Sequence, residues 1–235
     1  AHACGLAVLL DVVYNHFGPD GNYLREFADE YFSARRTTDW GDAIDFEGPR
    51  SGPVREFFVA NAVHWISEYH LDGLRLDATQ NVYDDGPRHI LGESGEAARR
   101  AAGGRGILLV AENESQDARF VRDPERGGYG FDAIWNDDFH HEAVVAVTGR
   151  AEAYYTDYLG SAQEFVSLAK HGTLFQGQRY EWQRKRRGSP ALDVGPASFV
   201  AYLENHDQVA NSGRGRRIHQ VTSPGRHRAM TALLL

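Results

Sequence analysis

The chain has 235 residues, of which 42% are hydrophobic and 25% are charged, as in an ordinary globular protein. Its formal net charge of −8 disfavours the phosphate backbone of a nucleic acid as a partner. No apolar run approaches the roughly 18 residues that a membrane-spanning helix needs. The single cysteine, Cys4, excludes an internal disulfide and favours a reducing compartment. We therefore expect a cytoplasmic protein without nucleic-acid or membrane partners, and the sequence leaves its oligomeric state open.

The two ends of the chain lack the features of natural termini. The chain begins without methionine, enters an apolar segment after five residues, and stops inside a second apolar run. Neither end carries a targeting signal. These ends predict an internal fragment of a longer protein.

The first predicted elements are a strand, a long loop, a helix and a second strand. Residues 6–16 form an apolar run with polar side chains at its end, which predicts a strand buried on both faces. Residues 17–52 are rich in aromatic residues and glycine without a sustained period, which predicts a long functional loop. An apolar stripe of helical period predicts a helix over residues 53–69. A short strand over residues 73–77 follows directly.

The rest of the chain repeats this alternation of strand and helix. The predicted elements are a helix including 96–102, strands at 107–112 and 131–136, a helix from about 142 to 148, helical pieces near 151–158 and 162–170, a strand at 197–204 and a helix from about 224 to the end. The order is typical of a parallel α/β architecture. Because no strand-to-helix turn carries a glycine-rich phosphate fingerprint, a partial TIM (β/α)8 barrel is favoured over a nucleotide-binding open sheet.

Ionisable side chains follow four of the predicted strands. Arg75 and Asp77 face the same side of their strand, where the guanidinium would keep the carboxylate ionised. A structural ion pair is the alternative interpretation of these two residues. Three carboxylates at successive strand ends are costly for folding unless function needs them, and two carboxylates are the minimum apparatus for glycoside hydrolysis. The full set is Asp11, Asn15 and His16, then Arg75 and Asp77, then Glu112, and finally His206 and Asp207.

Four segments resemble, in order and spacing, the sequence regions of the α-amylase superfamily of glycosidases. They are Asp-Val-Val-Tyr-Asn-His at 11–16, Gly-Leu-Arg-Leu-Asp at 73–77, Ala-Glu at 111–112 and Asn-His-Asp at 205–207. The resemblance runs over essentially the whole chain. It implies one incomplete catalytic barrel domain over residues 1–235, from about strand three to helix seven of the barrel, with a loop insertion at about 17–52.

The resemblance also implies a role for each of these residues. Asp77 would be the nucleophile, Glu112 the general acid/base, and Asp207 the third carboxylate, which binds sugar hydroxyls. The substrate-binding residues would include His16, Arg75, His206, Asp11 and Asn15. Such an enzyme retains the anomeric configuration through a covalent intermediate, with the two reacting carboxyl groups about 5 to 5.5 Å apart.

Further segments narrow the resemblance to the trehalose-releasing members of the superfamily. These segments are residues 14–23, 40–44, 135–141 and 204–208. The implied substrate is a maltooligosyl trehalose, or a related α-1,4-glucan, cleaved at the α-1,4 bond next to the terminal trehalose. Trp135, Asp138, His140 and His141 would lie near the trehalose end. The alternative interpretation of that segment is a helix N-terminus capped by Asp138.

Two other functions stay open at this point. A glycogen branching enzyme, or another glucan-acting enzyme of the superfamily, shares the chain layout, although residues 135–141 and Gln208 argue against it. A catalytically silent glucan-binding relative would be expected to lack Asp77 or Glu112. Tyr23, Trp40, Tyr129 and Trp135 could stack on sugar rings, or simply pack within the protein. We expect no cofactor and no metal, because the loop after His16 is short for a calcium-binding subdomain.

Overall fold

The computed structural model describes all residues, 1–235, and has ten strands and seven α-helices joined by short 3₁₀ turns. The strands are β1 (Leu9–Val12), β2 (His16–Phe17), β3 (Phe32–Thr38), β4 (Gly41–Ile44), β5 (Gly73–Leu76), β6 (Leu108–Ala111), β7 (Ala133–Trp135), β8 (Arg179–Tyr180), β9 (Lys185–Arg186) and β10 (Phe199–Val200). The helices are α1 (Gly52–Ser67), α2 (Ile90–Ala101), α3 (Asp137–Thr148), α4 (Ala162–His171), α5 (His206–Ala210), α6 (Ile218–Val221) and α7 (Pro224–Leu234). None of the helices is long and apolar enough to cross a membrane.

The chain forms two compact units. The first unit contains residues 1–114 and 119–134, and the second contains residues 115–118 and 135–235. Each unit has its own core and is described separately below.

A parallel sheet forms the centre of the first unit. β5 lies between β1 and β6, and β6 also pairs with β7, all in parallel. This confirms the predicted α/β class with a parallel sheet. Asp11 lies opposite Arg75 across the first pair of strands. Gly73 allows β5 and β6 to approach, because a Cβ atom there would lie 2.0 Å from the carbonyl oxygen of Leu108.

Helix α1 packs against the first unit through a single apolar stripe. Its buried residues are Val54, Phe58, Ala62 and Ile66, spaced four apart as one face of a helix requires. The observed bounds agree with the predicted helix over residues 53–69. The apolar pattern therefore identified this helix correctly.

Helix α2 begins six residues before the stretch that the sequence indicated. The Asp84 carboxylate accepts a hydrogen bond from the Ile90 amide at 2.6 Å, and His89 accepts one from the Leu91 amide. These contacts cap the first turn. Gly95 weakens the helical pattern in the sequence. Its missing side chain lets the helix pack closely on Leu109, because a Cβ atom on residue 95 would lie 3.1 Å from Cδ1 of Leu109.

The segment predicted as a loop over residues 17–52 contains a small antiparallel sheet. Its strand order is β2-β4-β3. The prediction missed β3 because that strand has the sequence Phe-Ser-Ala-Arg-Arg-Thr-Thr, without alternating apolar residues. Gly41 has φ +149°, and a Cβ there would lie 2.2 Å from the carbonyl oxygen of Phe17. A glycine is therefore needed at this crossing of strands.

The second unit is built around α3. Asn136 caps this helix by accepting a hydrogen bond from the Phe139 amide at 3.0 Å, so α3 starts five residues earlier than predicted. Gly149, at φ +72°, ends it. The core around α3 consists of Phe139, Ala143, Val147, Leu168, Ile218 and Met230.

Two elements predicted in the second unit are shorter in the structure. The predicted helical piece at 151–158 is a single 3₁₀ turn, Ala153–Tyr155. The predicted strand at 197–204 is reduced to β10, whose Val200 carbonyl accepts a hydrogen bond from the Asn136 amide at 3.0 Å. A 3₁₀ turn, Pro196–Ser198, takes the place of the first predicted strand residues, and residues 201–204 lie outside any strand.

Candidate active site

Arg75 lies at the centre of a carboxylate cluster in the first unit. Its Nη1 atom lies 2.6 Å from Asp11 Oδ1 and 2.9 Å from Asp77 Oδ1, and its Nη2 atom lies 2.8 Å from Glu112 Oε2. The three carboxylates come from the ends of three adjacent parallel strands. The structure therefore brings together Asp11, Arg75, Asp77 and Glu112, as the sequence predicted for these three strand ends. The predicted convergence of His206 and Asp207 with them stays a prediction.

The charges in this cluster do not cancel. Burial of Arg75 works against its positive charge, but the carboxylates of Glu112, Asp11 and Asp77 outweigh that effect and raise its pKa. Arg75 therefore stays protonated at any working pH. One cation faces three acidic groups, and such an excess of acid is more typical of a functional site than of a structural ion pair.

Asp77 is held through both of its carboxylate oxygens. Arg75 donates to Oδ1, and the Nδ2 group of Asn15 donates to Oδ2 at 3.1 Å and to the Asp77 carbonyl at 2.7 Å. Asn15 is itself buried, and its Oδ1 atom contacts Nδ1 of His16. Asn15, which follows the first strand, thus helps to fix the orientation of the predicted nucleophile. His16 is half-buried.

A sharp turn directly after Asp77 brings the chain into hydrogen-bond contact with Glu112. Ala78 has φ +39° and ψ 50°, a left-handed conformation that is rare for a residue with a side chain. Its amide donates to Glu112 Oε2 at 3.0 Å, and the next residue, Thr79, donates twice to the Glu112 carbonyl. Nothing in the sequence marks Ala78 or Thr79 as part of a site, because neither residue type is associated with such a turn.

Asp207 and His206 lie in the second unit, at the start of α5. Asn205 caps this short helix by accepting a hydrogen bond from the Asp207 amide at 2.8 Å. The Asp207 side chain is 44% exposed and the His206 side chain 66% exposed. Both side chains are therefore accessible to a ligand.

Asp138 is fully buried and bonded to protein groups. Arg187 donates to Oδ1 through Nε at 2.9 Å and Tyr158 through its hydroxyl at 2.8 Å, while Thr173 and the amides of Leu174 and Phe175 donate to Oδ2. Burial alone would raise the pKa of Asp138, but Arg187 and these donors hold it below its ordinary value. The helix cap is Asn136 and not Asp138, which corrects the alternative interpretation. The contact with a trehalose end stays a prediction.

Replacing Asp138 with Asn should destabilise the protein by about 3–5 kcal/mol, because the buried Arg187 would lose the carboxylate that it contacts at 2.9 Å, while Asp137 lies farther away at 3.8 Å. The measurement is the free energy of unfolding of the full-length protein in guanidinium chloride. The matched control is Glu181→Gln, which removes an exposed carboxylate 2.7 Å from Arg179 and should have no measurable effect. Equal stability of the two variants would contradict a structural role for the buried pair.

His140 and His141 are buried on α3. The Nδ1 atom of His140 lies 2.6 Å from the Leu203 carbonyl oxygen, and its ring stacks on Tyr202. Burial lowers the pKa of His140 to about 4 and also lowers that of His141, so both rings are neutral at pH 7. The ring of Trp135 also lies against Tyr202, with centroids 5.6 Å apart.

His140 borders a cavity of about 650 Å³ in the second unit. Polar and aromatic side chains line this cavity, which is large enough for a small sugar. The lining includes Tyr154, Tyr155, Glu204, Gln208 and Asn211. Of the four residues assigned to the trehalose end, His140 lines this cavity, whereas Asp138 and His141 are buried elsewhere in the unit.

No group of three or more His, Cys, Asp or Glu side chains is arranged to hold a metal ion. No family model matches the chain.

The chain is similar to proteins named malto-oligosyltrehalose trehalohydrolase. It is 38% identical to the one from Saccharolobus solfataricus, over the whole chain and 41% of that protein. It is 40% identical to the one from Deinococcus radiodurans, over the whole chain and 38% of that protein. The chain thus spans about two fifths of the length of these curated relatives. A weaker match, 28% identical, is a 1,4-α-glucan branching enzyme of Mycobacterium ulcerans.

A solved structure agrees with the sequence comparison. The crystal structure of an α-amylase candidate from Salmonella typhimurium is 35% identical, with a TM-score of 0.89 over 99% of this chain and 40% of that one. Both comparisons confirm the resemblance drawn from the four sequence segments. Along its entire length the chain is related to the malto-oligosyltrehalose trehalohydrolases, and it belongs to the α-amylase superfamily.

Proposed function

We propose that the protein containing this chain is a retaining glycoside hydrolase. Its substrate is a maltooligosyl trehalose, and it cleaves the α-1,4 bond next to the terminal trehalose and releases trehalose. The observation that carries the proposal is the Arg75 cluster, in which Asp77 and Glu112 contact the two terminal nitrogens of one guanidinium. The similarity to the named trehalohydrolases supports the choice of substrate.

Asp77 acts as the nucleophile in this proposal. Its Oδ1 and Oδ2 atoms accept hydrogen bonds from Arg75 and Asn15, which stabilise the ionised form and fix its orientation. The carboxylate attacks the anomeric carbon and forms a glycosyl ester as the bond to the trehalose oxygen breaks. Because both reacting carboxyl groups contact one guanidinium, their separation is compatible with the short distance that retaining enzymes need.

Glu112 acts first as the acid and then as the base. It protonates the glycosidic oxygen, so that trehalose leaves as a neutral alcohol. It then removes a proton from water, which attacks the anomeric carbon as the bond from that carbon to the Asp77 oxygen breaks, so that Asp77 is released as a carboxylate. The Ala78 amide and Arg75 hold one oxygen of this carboxyl group during both steps.

The remaining predicted residues bind the sugar. In this proposal Asp207, with its exposed carboxylate, binds sugar hydroxyls and favours ring distortion, and His206 and His16 are further sugar-binding residues. Arg75, Asp11 and Asn15 are proposed to provide further polar contacts to the sugar. At the trehalose end the neutral ring of His140 and the nearby polar cavity provide contacts, with Trp135, Asp138 and His141 shaping the surrounding structure.

The parallel sheet of the first unit belongs, in this proposal, to an incomplete (β/α)8 barrel. Residues 1–235 then form part of one catalytic domain, from about its third strand to its seventh helix. The segment over residues 17–52 is an insertion that follows the third strand. The α/β class and the parallel order of the strands support this assignment.

The test is a comparison of two substrates with the full-length protein. Maltotriosyl trehalose should yield free trehalose, whereas a plain maltooligosaccharide of equal length should react much more slowly. Branched glucan without trehalose would overturn the proposal in favour of a branching enzyme, the function of the weaker relative. Binding of glucan without any turnover would favour a catalytically silent relative.

A further inference from the structure

We propose that Thr79 is a positioning residue for the proton donor Glu112, and that it acts together with the backbone of Ala78. The inference rests on the proposed function, because it assumes that Glu112 delivers a proton to the leaving sugar. It adds a residue that makes no contact with the substrate but determines where the donor stands.

Thr79 makes two hydrogen bonds to the same carbonyl group. Its amide lies 2.9 Å and its Oγ1 atom 2.6 Å from the Glu112 carbonyl oxygen. A carbonyl oxygen has two lone pairs, so both can be engaged by this one residue. Thr79 is only 2% exposed, which means that water cannot readily replace a lost hydroxyl.

Neighbouring residues add further hydrogen bonds between the segment 78–80 and the segment 112–114. The Ala78 amide donates to Glu112 Oε2 at 3.0 Å, and the Asn113 side-chain amide donates to Thr79 Oγ1 at 3.3 Å. The Glu114 amide donates to Oε1 of Gln80 at 3.1 Å. Residues 78–80 therefore hold residues 112–114 along their length.

The left-handed conformation of Ala78 makes this arrangement possible. With φ +39°, the chain reverses directly after Asp77 and points two successive amides at Glu112. A residue with a side chain adopts this conformation only when its surroundings impose it. Since Asp77 immediately precedes the turn, the nucleophile and the proton donor are held by adjacent residues, and their relative position depends on one short turn.

Loss of the Thr79 hydroxyl should therefore impair proton donation selectively. Thr79→Val keeps the shape of the side chain but removes one of the two donors to the Glu112 carbonyl. A shift of the donor by a fraction of an ångström to 1 Å is enough to lower the rate by about 10- to 100-fold. Thr79→Ser keeps the hydroxyl and should restore the rate to within about threefold.

The experiment uses the full-length protein and two substrates that differ in their leaving group. Maltotriosyl trehalose releases an alcohol, which needs a proton, whereas α-maltotriosyl fluoride releases fluoride, which leaves without one. We expect Thr79→Val to lower kcat/KM, which reports formation of the glycosyl ester and not its hydrolysis, about 10- to 100-fold on the first substrate and less than about threefold on the second. The control is Thr222→Val, which removes an equivalent bond of 2.6 Å to the Val147 carbonyl and should change neither rate.

Two results would overturn the inference. Equal losses on both substrates would mean that Thr79 supports the fold in general, and unchanged rates on both would mean that its hydroxyl is not needed. Glu112→Gln separates this inference from the proposed function. If kcat/KM of that variant falls equally on both substrates, the donor role of Glu112 fails. If its kcat/KM discriminates between them but that of Thr79→Val does not, only the role of Thr79 fails.

Discussion

Replacing Asp77 with Asn in the full-length protein should lower kcat for maltotriosyl trehalose by about 10⁴-fold or more. The amide has nearly the same shape as the carboxylate, but it cannot form the glycosyl ester. It also removes one of the three negative charges around Arg75, whose guanidinium would still be balanced by Asp11 and Glu112. The expected loss is therefore one of chemistry, with the fold retained.

The measurement for Asp77 compares kcat with thermal stability in matched variants. Asp29→Asn is the control, because Asp29 forms an exposed ion pair with Arg50 at 3.0 Å in the same unit. That variant should keep normal turnover. Turnover of Asp77→Asn within about tenfold of normal would show that Asp77 is not the nucleophile, because the amide cannot form the glycosyl ester.

The residues of the cluster could be predicted from the sequence because apolar runs show where buried strands end. Apolar runs that end at Asp77 and Glu112, and the run over residues 6–16 that contains Asp11, indicate buried parallel strands, and side chains near the same ends of such strands lie close together. The alternation of residues along a strand also predicted that Arg75 faces Asp77. What this reasoning could not predict was that one guanidinium contacts all three carboxylates, since that depends on the register between strands.

The features that the sequence did not indicate depend on contacts between distant segments. Asp138 has the appearance of an exposed cap in the sequence, because its partner Arg187 lies 49 residues away in a run of basic residues. The left-handed residue Ala78 donates its amide to Glu112, 34 residues further along the chain. Neither pairing leaves a periodic or local pattern from which it could be predicted.

Glu112→Gln is the second substitution with a large expected effect. It should lower kcat for maltotriosyl trehalose by about 10²- to 10⁴-fold, because the glutamine cannot protonate the leaving sugar. With α-maltotriosyl fluoride the ester to Asp77 should still form. Its hydrolysis should be slow without a general base, so a covalent glycosyl-enzyme should accumulate and be detectable by mass spectrometry of the intact protein.

The pH dependence of Glu112→Gln provides an independent check of this role. A proton donor works only in its protonated form, so activity of the wild-type protein should fall on the alkaline side as Glu112 loses its proton. The glutamine has no proton to lose, and that fall should be absent from the profile of the variant. Arg75 cannot cause the fall, because the surrounding carboxylates raise its pKa and keep it charged.

Glu125→Gln is the matched control for this substitution, since it makes the same change at an exposed position of the same unit. It should leave both the rate and the pH profile unchanged. If Glu112→Gln kept the alkaline fall, or accumulated no glycosyl-enzyme from the fluoride, the proton donor would have to be sought among other groups. The selective loss, the trapped ester and the flattened profile together would assign both steps of the reaction to the pair that Arg75 holds side by side.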